Sequence, residues 1–165
     1  MSEAQRTRRK RLGAWYTPPE LVRAIVSEAV FPEARSVLDP ACGDGRFLTA
    51  SGLDDVVGVD IDPQALIATA DNAEQNFVGH QVVLHADAAR IPPAADVVLA
   101  NILATPLKVL APLLCARVAP GGHLVLAGIL SRQADELRQA YAAHAELQVI
   151  DEEDGWVCMG AHMPT

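Results

Sequence analysis

Asp39-Pro40-Ala41-Cys42-Gly43-Asp44-Gly45 is the stretch of sequence that decides the fold. Its first residue ends a predicted short buried strand over 36–39, and the stretch precedes a short predicted helix over 46–51. Gly43 and Gly45 lack a β-carbon, so the backbone can turn tightly and approach a ligand closely. A strand, a glycine turn and a helix in this order indicate a cofactor loop at the carboxyl edge of a parallel sheet.

Strands and helices alternate on both sides of this loop. We predict strands over 36–39, 56–60, 82–86, 95–102, 123–129, 147–150 and 156–161, and helices that begin near 17, 46, 62, 105 and 131. The acidic gap 151–155 is so short that the last two strands must form an antiparallel hairpin. The fold class is therefore α/β, with a doubly wound, mostly parallel, Rossmann-like sheet and a C-terminal antiparallel hairpin strand.

Three side chains are predicted to cap helices. Thr17, with Glu20 three residues later, has the pattern of a capping box, and Asp62 precedes a proline that suits the first helical position. Ser131 is the third predicted cap. Pro120-Gly121-Gly122 is predicted to form a turn between helix and strand.

Charge is distributed unevenly along the 165 residues, whose net charge is −8. Residues 1–12 contain five basic side chains and are predicted to form a disordered arm, which could contact RNA or the ribosome. Residues 13–165, the predicted domain, contain eight basic and twenty acidic residues. The sequence has no apolar run of the roughly 20 residues that a membrane-spanning helix needs. Three widely spaced cysteines favour a reducing, cytoplasmic location and give no metal-binding spacing.

Three acidic residues end successive predicted strands and favour S-adenosylmethionine as the cofactor. Asp39 suits a cationic ligand that carries an ammonium group. Asp60 can accept hydrogen bonds from both hydroxyls of a ribose, and Asp87 can accept one from an adenine amine. We therefore predict a row of carboxylates along one sheet edge.

A nicotinamide dinucleotide is the competing cofactor. Its G-x-G-x-x-G fingerprint needs a third glycine, and that position is Leu48. The mismatch disfavours an NAD-dependent oxidoreductase, which remains an alternative. A cofactor-binding module without catalytic activity is another.

The fourth predicted strand ends at Asn101, followed by Ile102, and both are predicted to lie at the reacting centre. An amide oxygen can accept a hydrogen bond from an incoming amine and direct its lone pair towards the methyl group. Methyl transfer is a displacement on an activated carbon, so the main task of the protein is positioning.

Residues 58–161 resemble the bacterial ribosomal-protein lysine methyltransferases, which modify the stalk-base protein of the large subunit. The matching stretches are residues 58–63, 71–76, 96–104, 106–112, 120–122, 128–134 and 153–157, of which Asn101-Ile-Leu-Ala104 is the most specific. The resemblance implies a class I S-adenosylmethionine-dependent methyltransferase that acts on an amine of a protein, with a ribosomal protein as the expected acceptor.

The first third of the chain is more similar to DNA adenine methyltransferases, on residues 16–22 and 39–48. That resemblance implies that Thr17 touches the cofactor. The Asn/Asp-Pro-Pro-aromatic motif of that group, which stacks on a flipped base, is replaced here by Asn101-Ile-Leu-Ala. A protein amine is therefore the favoured acceptor, and a nucleic-acid adenine amine is the alternative. The predicted cofactor-binding residues are Thr17, Asp39, Ala41, Gly43, Gly45, Asp60, Ile61, Asp87, Ala88 and Asn101, and the predicted catalytic residues are Asn101 and Ile102.

Overall fold

The structure is a computed structural model that describes residues 17–165. The arm predicted over residues 1–12 lies outside the described residues, so its boundary with the domain stays a prediction. The strands of the described part are β1 (Ser36–Asp39), β2 (Asp55–Val59), β3 (Val82–His85), β4 (Ala95–Asn101), β5 (Val118–Leu130), β6 (Gln148–Glu153) and β7 (Trp156–His162). The α-helices are α1 (Pro19–Ala29), α2 (Arg46–Ala50), α3 (Pro63–Gln75), α4 (Ala104–Cys115) and α5 (Ala134–Tyr141).

The seven strands form one sheet in the order β3-β2-β1-β4-β5-β7-β6. Strands β1 to β5 pair in parallel, whereas β7 runs antiparallel to both β5 and β6. The predicted doubly wound sheet with one antiparallel hairpin strand is therefore confirmed. The chain proceeds outward from β1 to β3 and then crosses to β4, so the strand order reverses between β1 and β4. Ligands of open α/β sheets bind in the crevice at the carboxyl ends of such a pair.

Alternate residues of the central strands enter hydrophobic cores on opposite faces of the sheet. Leu38 and Val98 belong to the core that α4 and α5 cover, while Val37 and Val97 belong to the core that α1 and α2 cover. Side chains alternate across a strand, so a strand covered on both faces must be apolar at nearly every position. The continuous apolar runs of the sequence have this cause.

The helices differ in whether a side chain caps their amino ends. Asp62 accepts a hydrogen bond from the Gln64 N–H (2.9 Å) at the start of α3, as predicted. Thr17 does not cap α1: Pro18 occupies the N-cap position, and no side chain makes a capping hydrogen bond there. Ser131 starts a 3-10 turn and donates its hydroxyl proton to Glu152 (2.7 Å), so the prediction that it caps a helix is wrong.

Strand β5 is longer than predicted because it continues through the expected Pro-Gly-Gly turn. Ala95 pairs with Val118, and two residues later Val97 pairs with His123. The residues between form a bulge with Gly121 at a φ of 76°, a conformation that glycine adopts without a steric penalty. In residues 17–165 no helix is long and apolar enough to cross a membrane.

Candidate cofactor and acceptor site

The glycine loop joins β1 to α2 and has two glycines in the left-handed region. Gly43 has a φ of 56° and Gly45 a φ of 72°. A β-carbon at Gly45 would lie 2.4 Å from the Thr69 methyl carbon, so this position must be glycine for α3 to pack against the loop. At Gly43 an added β-carbon would meet no atom of the described residues within 4 Å. Gly43 therefore faces open space on the side where a ligand can approach.

Hydrogen bonds from β2 and α3 fix the backbone of this loop. The Gly43 N–H donates to Asp60 Oδ2 (3.0 Å), and the Thr69 hydroxyl donates to the Gly43 carbonyl (2.9 Å). Asn72 Nδ2 donates to the Asp44 carbonyl (3.1 Å). The loop is thus held in shape by the neighbouring elements before any ligand arrives.

Asp60 lies directly after β2 and connects two loops. Its Oδ2 accepts from Gly43, and its Oδ1 accepts from the Asp62 N–H (2.9 Å). A carboxylate has about four acceptor positions, so roughly two remain for further donors such as a diol. The next residue, Ile61, is 93% exposed and presents an apolar side chain beside this carboxylate.

Asp39 ends β1 and is buried, with 1% of its surface exposed. Burial raises the pKa of its carboxyl group to about 7; the Ala41 N–H, which donates to Asp39 Oδ1 (3.1 Å), lowers it, and the negative charges of Asp60 and Asp44 raise it. This carboxyl group is therefore poised to be ionised when a cation comes near.

Asp87 follows β3 and is exposed. Its Oδ1 accepts from the Ala89 N–H (2.8 Å). Ala89 belongs to the 3-10 turn Ala88–Arg90, which begins directly after Asp87. Asp60 and Asp87 extend from neighbouring strand ends, since the Asp60 N–H donates to the His85 carbonyl (3.3 Å). The predicted row of acids at successive strand ends is present, with Asp39 buried and Asp87 exposed.

Asn101 ends β4, on the other side of the crevice. Its Nδ2 donates to the Thr17 hydroxyl (2.9 Å), so the structure brings together two residues that are 84 positions apart. Ile102 is partly buried and packs against the core beneath α4 and α5. Leu103, next in the chain, is 58% exposed. The reacting end of the site is an amide and a hydroxyl beside apolar side chains.

Sequence reasoning missed Gly128 on β5. Its φ is 79°, and a β-carbon there would lie 2.7 Å from the Ile102 carbonyl oxygen and 3.2 Å from Asn101 Oδ1. The glycine lets β5 approach the end of β4 closely. A glycine inside an otherwise apolar strand was the available signal.

Sequence reasoning also missed Arg46, the first residue of α2. Its Nε donates to Asp44 Oδ2 (2.6 Å) and its Nη1 to the Thr17 carbonyl (3.1 Å). Arg46 is the only Lys or Arg between residues 36 and 89, a stretch with nine acidic residues, and this isolation was the available signal.

Nucleophilic catalysis by the loop cysteine is disfavoured. Burial raises the pKa of Cys42 to about 12, and the negative charge of Asp39 adds to the effect. The thiolate is the reactive form, so this thiol is unreactive at neutral pH. Among the described residues no group of three or more His, Cys, Asp or Glu side chains is arranged to hold a metal ion. The groups at the edge are suited to binding and orienting reactants.

Known proteins with similar sequences share one description. The family model "Ribosomal protein L11 methyltransferase (PrmA)" matches residues 24–163, which includes the glycine loop. A ribosomal protein L11 methyltransferase of Bordetella parapertussis is 53% identical over 137 residues, which are 80% of this chain and 43% of that protein. One of Dechloromonas aromatica is 48% identical over 136 residues, 80% of this chain and 45% of that protein. The chain thus spans less than half the length of these relatives.

Solved structures agree on the fold. A ribosomal protein L11 methylase of Lactobacillus delbrueckii superposes with a TM-score of 0.78 at 23% identity, over 89% of this chain and 79% of that one. An RNA methyltransferase of Salinibacter ruber, in complex with S-adenosyl-L-homocysteine, superposes with a TM-score of 0.73 at 22% identity. The superposition covers 91% of this chain and 94% of that one. The extent of the family match and the identity to these relatives lead to one conclusion: the chain belongs to the ribosomal protein L11 methyltransferase (PrmA) family.

Proposed function

We propose that this chain binds S-adenosylmethionine at the carboxyl edge of its sheet and promotes methyl transfer to an amine of a protein. The observation that carries the proposal is the hydrogen bond between Gly43 and Asp60. It fixes a glycine turn with an open face beside a carboxylate that keeps acceptor positions free. Family membership supports the same activity.

The residues of the edge fit this cofactor. The open face at Gly43 admits a ligand close to the backbone, and Asp60 has acceptor positions for two ribose hydroxyls. Exposed Ile61 offers an apolar surface to an adenine ring, and Asp87 beyond it offers an acceptor to the adenine amine. We assign Asp39 to the ammonium end, where its charge acts through a poorly solvated interior. Thr17, Ala41, Gly45, Ala88 and Asn101 complete the proposed binding set.

At the acceptor end, Asn101 would orient the amine. When bound, the cofactor supplies a methyl group on a sulfonium, which is already activated for displacement. The Asn101 amide oxygen can accept one N–H of a neutral amine and so fix the direction of its lone pair. Partly buried Ile102 and exposed Leu103 present apolar surface, which favours the neutral form by lowering the pKa of a lysine.

The acceptor is proposed from the names of the relatives. Those proteins are described as methyltransferases of ribosomal protein L11. We infer the same substrate class for this chain, and we propose that the basic residues within 1–12 contact ribosomal RNA. Three free, buried cysteines are compatible with the cytoplasmic location that such a substrate requires.

The test offers methyl-labelled S-adenosylmethionine with ribosomal protein L11, whole ribosomes, RNA and DNA in parallel. We expect label on the protein, and we expect the Asn101→Ala variant to retain the cofactor but to transfer slowly. Gln139→Ala, an exposed amide on α5, is the matched control and should transfer normally.

Each other outcome contradicts a defined part of the proposal. Label on nucleic acid alone would replace the protein acceptor by an adenine amine. Tight binding of S-adenosylhomocysteine without transfer to any acceptor would indicate a non-catalytic module. Absence of binding would overturn the cofactor assignment, and binding of NAD in its place would favour an oxidoreductase.

A further inference from the structure

A chain of hydrogen bonds connects the glycine loop with the acceptor end of the site. Arg46 binds Asp44, a loop residue, at 2.6 Å and the Thr17 carbonyl at 3.1 Å. The Thr17 hydroxyl in turn accepts from Asn101 Nδ2 at 2.9 Å. The side chain of Arg46 is only 17% exposed, so water screens these contacts weakly. The connection bridges the crevice between β1 and β4.

In the structure this connection is made through one end of the Asn101 amide only. Nδ2 is directed to Thr17, while Oδ1 lies on the side of Gly128, 3.2 Å from the position that a β-carbon there would occupy. A terminal amide rotates broadly about its last torsion unless a partner holds it. With the Thr17 hydroxyl accepting from Nδ2, the oxygen is left for an N–H of the amine. Without Thr17, the amide is free to turn its N–H₂ group to the amine, where it would bind the lone pair that must attack the methyl group.

We propose that Arg46 is a positioning residue: it holds Thr17 against the glycine loop and thereby fixes the Asn101 amide with its oxygen towards the acceptor. Arginine suits this task because its planar fork donates in two directions at once. A lysine has a single ammonium group on a flexible stem and cannot reproduce both contacts in the same geometry. The catalytic consequence rests on the proposed function, whereas the orientation of the amide does not.

The kinetic test compares Arg46→Met and Arg46→Lys with Arg138→Met, a control whose arginine pairs with Asp135 on the surface of α5. We expect kcat to fall about tenfold or more in both Arg46 variants, because small misplacements of a positioning group are costly. In an Asn101→Ala background the Arg46→Met change should alter kcat by less than about twofold, since both act through one group. An equal loss of kcat in both backgrounds would overturn the proposal.

A second test needs no activity. The side-chain amide signal of Asn101 in a nitrogen–proton correlation spectrum is identified by its absence in Asn101→Ala. It should shift in Arg46→Met and in Thr17→Val, stay near its original position in Thr17→Ser, and be unaffected in Arg138→Met. An unchanged signal in Arg46→Met and Thr17→Val would refute the positioning role.

The two tests also separate this inference from the proposed function. A wild-type protein that transfers no methyl group but shows the expected amide shifts would contradict the function and support the positioning. If Arg46→Met does not fold, as judged by circular dichroism, Arg46→Lys is used for both measurements, because it keeps a positive charge beside Asp44 but cannot reproduce both contacts of the guanidinium.

Discussion

Asp39 carries a carboxyl group that is almost out of reach of water. Burial raises its pKa to about 7, against an ordinary value of 3.8. Between these values the folded chain keeps a proton that the unfolded chain releases, so this group makes stability fall as the pH rises from about 4 to about 7. Above pH 7 the buried charge exerts its full cost. Burial of this carboxyl group therefore costs stability once the group is ionised.

Asp39→Asn is therefore expected to stabilise the ligand-free protein. The amide can still accept from the Ala41 N–H but has no charge to bury. At pH 8 we expect the free energy of unfolding to rise by on the order of 1–3 kcal/mol, and at pH 5 by less. Urea unfolding at both pH values measures the difference. A variant that is less stable than the wild type at pH 8 would contradict this account.

Asp60 is the residue on which cofactor affinity should depend most. Asp60→Ala removes two acceptors for the ribose and also releases the Gly43 amide, so we expect binding of S-adenosylhomocysteine to weaken by about 1.5–3 kcal/mol. Isothermal calorimetry measures this change. Asp55→Ala is the control, since Asp55 is exposed at the opposite end of the same strand. Unchanged affinity in Asp60→Ala would remove that residue from the ribose role.

At the scale of elements, the amino ends of β1 and β4 are joined by a second carboxylate. Asp96 Oδ2 accepts from the N–H groups of Arg35 (2.8 Å) and Ser36 (3.0 Å) and from the Ser36 hydroxyl (2.9 Å). Burial raises the pKa of Asp96, but these hydrogen bonds outweigh it and bring the pKa below 3.8. The stabilisation is thus complete above about pH 3.8 and is lost as the pH falls through the lower, folded value.

Asp96→Ala should destabilise the protein without affecting the cofactor. Near pH 7 we expect the free energy of unfolding to fall by about 1.5–3 kcal/mol, the range for hydrogen bonds to a charged group. The gap from the wild type should narrow as the pH drops below 3.8. Asp135→Ala, on the surface of α5, is expected to change stability by less than about 0.5 kcal/mol. A gap that stays constant down to pH 2 would show that the charge is not responsible.

The elements that could be predicted from the sequence are those specified locally. The bounds of β1 were predicted to the residue, because the run that ends at Asp39 leads directly into a glycine turn. The prediction that Asp62 caps a helix is also confirmed, because its partner, the Gln64 N–H, is only two residues away. Thr17 and Ser131 have equally good local patterns, but distant partners, Asn101 and Glu152, take their hydroxyl groups.

The same distinction applies to the candidate site. Glycines and strand-end acids follow from order along the chain, so the side of the sheet on which they lie could be predicted. The role of Arg46 could not, because it depends on Thr17, 29 positions earlier, which only the folded chain brings close. The predicted strand 36–39 was expected to be buried, but the raised pKa of Asp39 depends on how completely its carboxyl group is enclosed, which only the folded chain shows.

At the scale of the whole molecule, the two edges of the sheet carry different polar groups. The amino edge has Asp96, whose contacts stabilise the central strands. The carboxyl edge has Asp39, whose burial costs stability once it is ionised, and Asp60, which keeps acceptor positions free for the proposed ligand. We therefore expect Asp96→Ala to lower the free energy of unfolding and Asp60→Ala to lower the affinity for the cofactor, so a comparison of the two variants distinguishes the two edges.

Charge along the chain gives the last prediction. Residues 1–12 have a net charge of +4 and residues 13–165 one of −12, so the RNA contact that we propose should depend on the first segment. Deletion of residues 2–12 should therefore leave calorimetric binding of S-adenosylhomocysteine within about twofold. Association with ribosomal RNA should weaken and lose most of its salt dependence, because each basic residue that neutralises a phosphate releases counterions.

Gel-shift titrations at several salt concentrations measure this association. A variant with Arg8, Arg9 and Arg11 changed to Gln serves as a control of unaltered length, and it should weaken RNA binding in the same direction as the deletion. RNA binding that persists in both variants with the wild-type salt slope would place the contact on the acidic body. That outcome would require a basic surface formed by the eight remaining Lys and Arg residues, which twenty acidic residues outnumber.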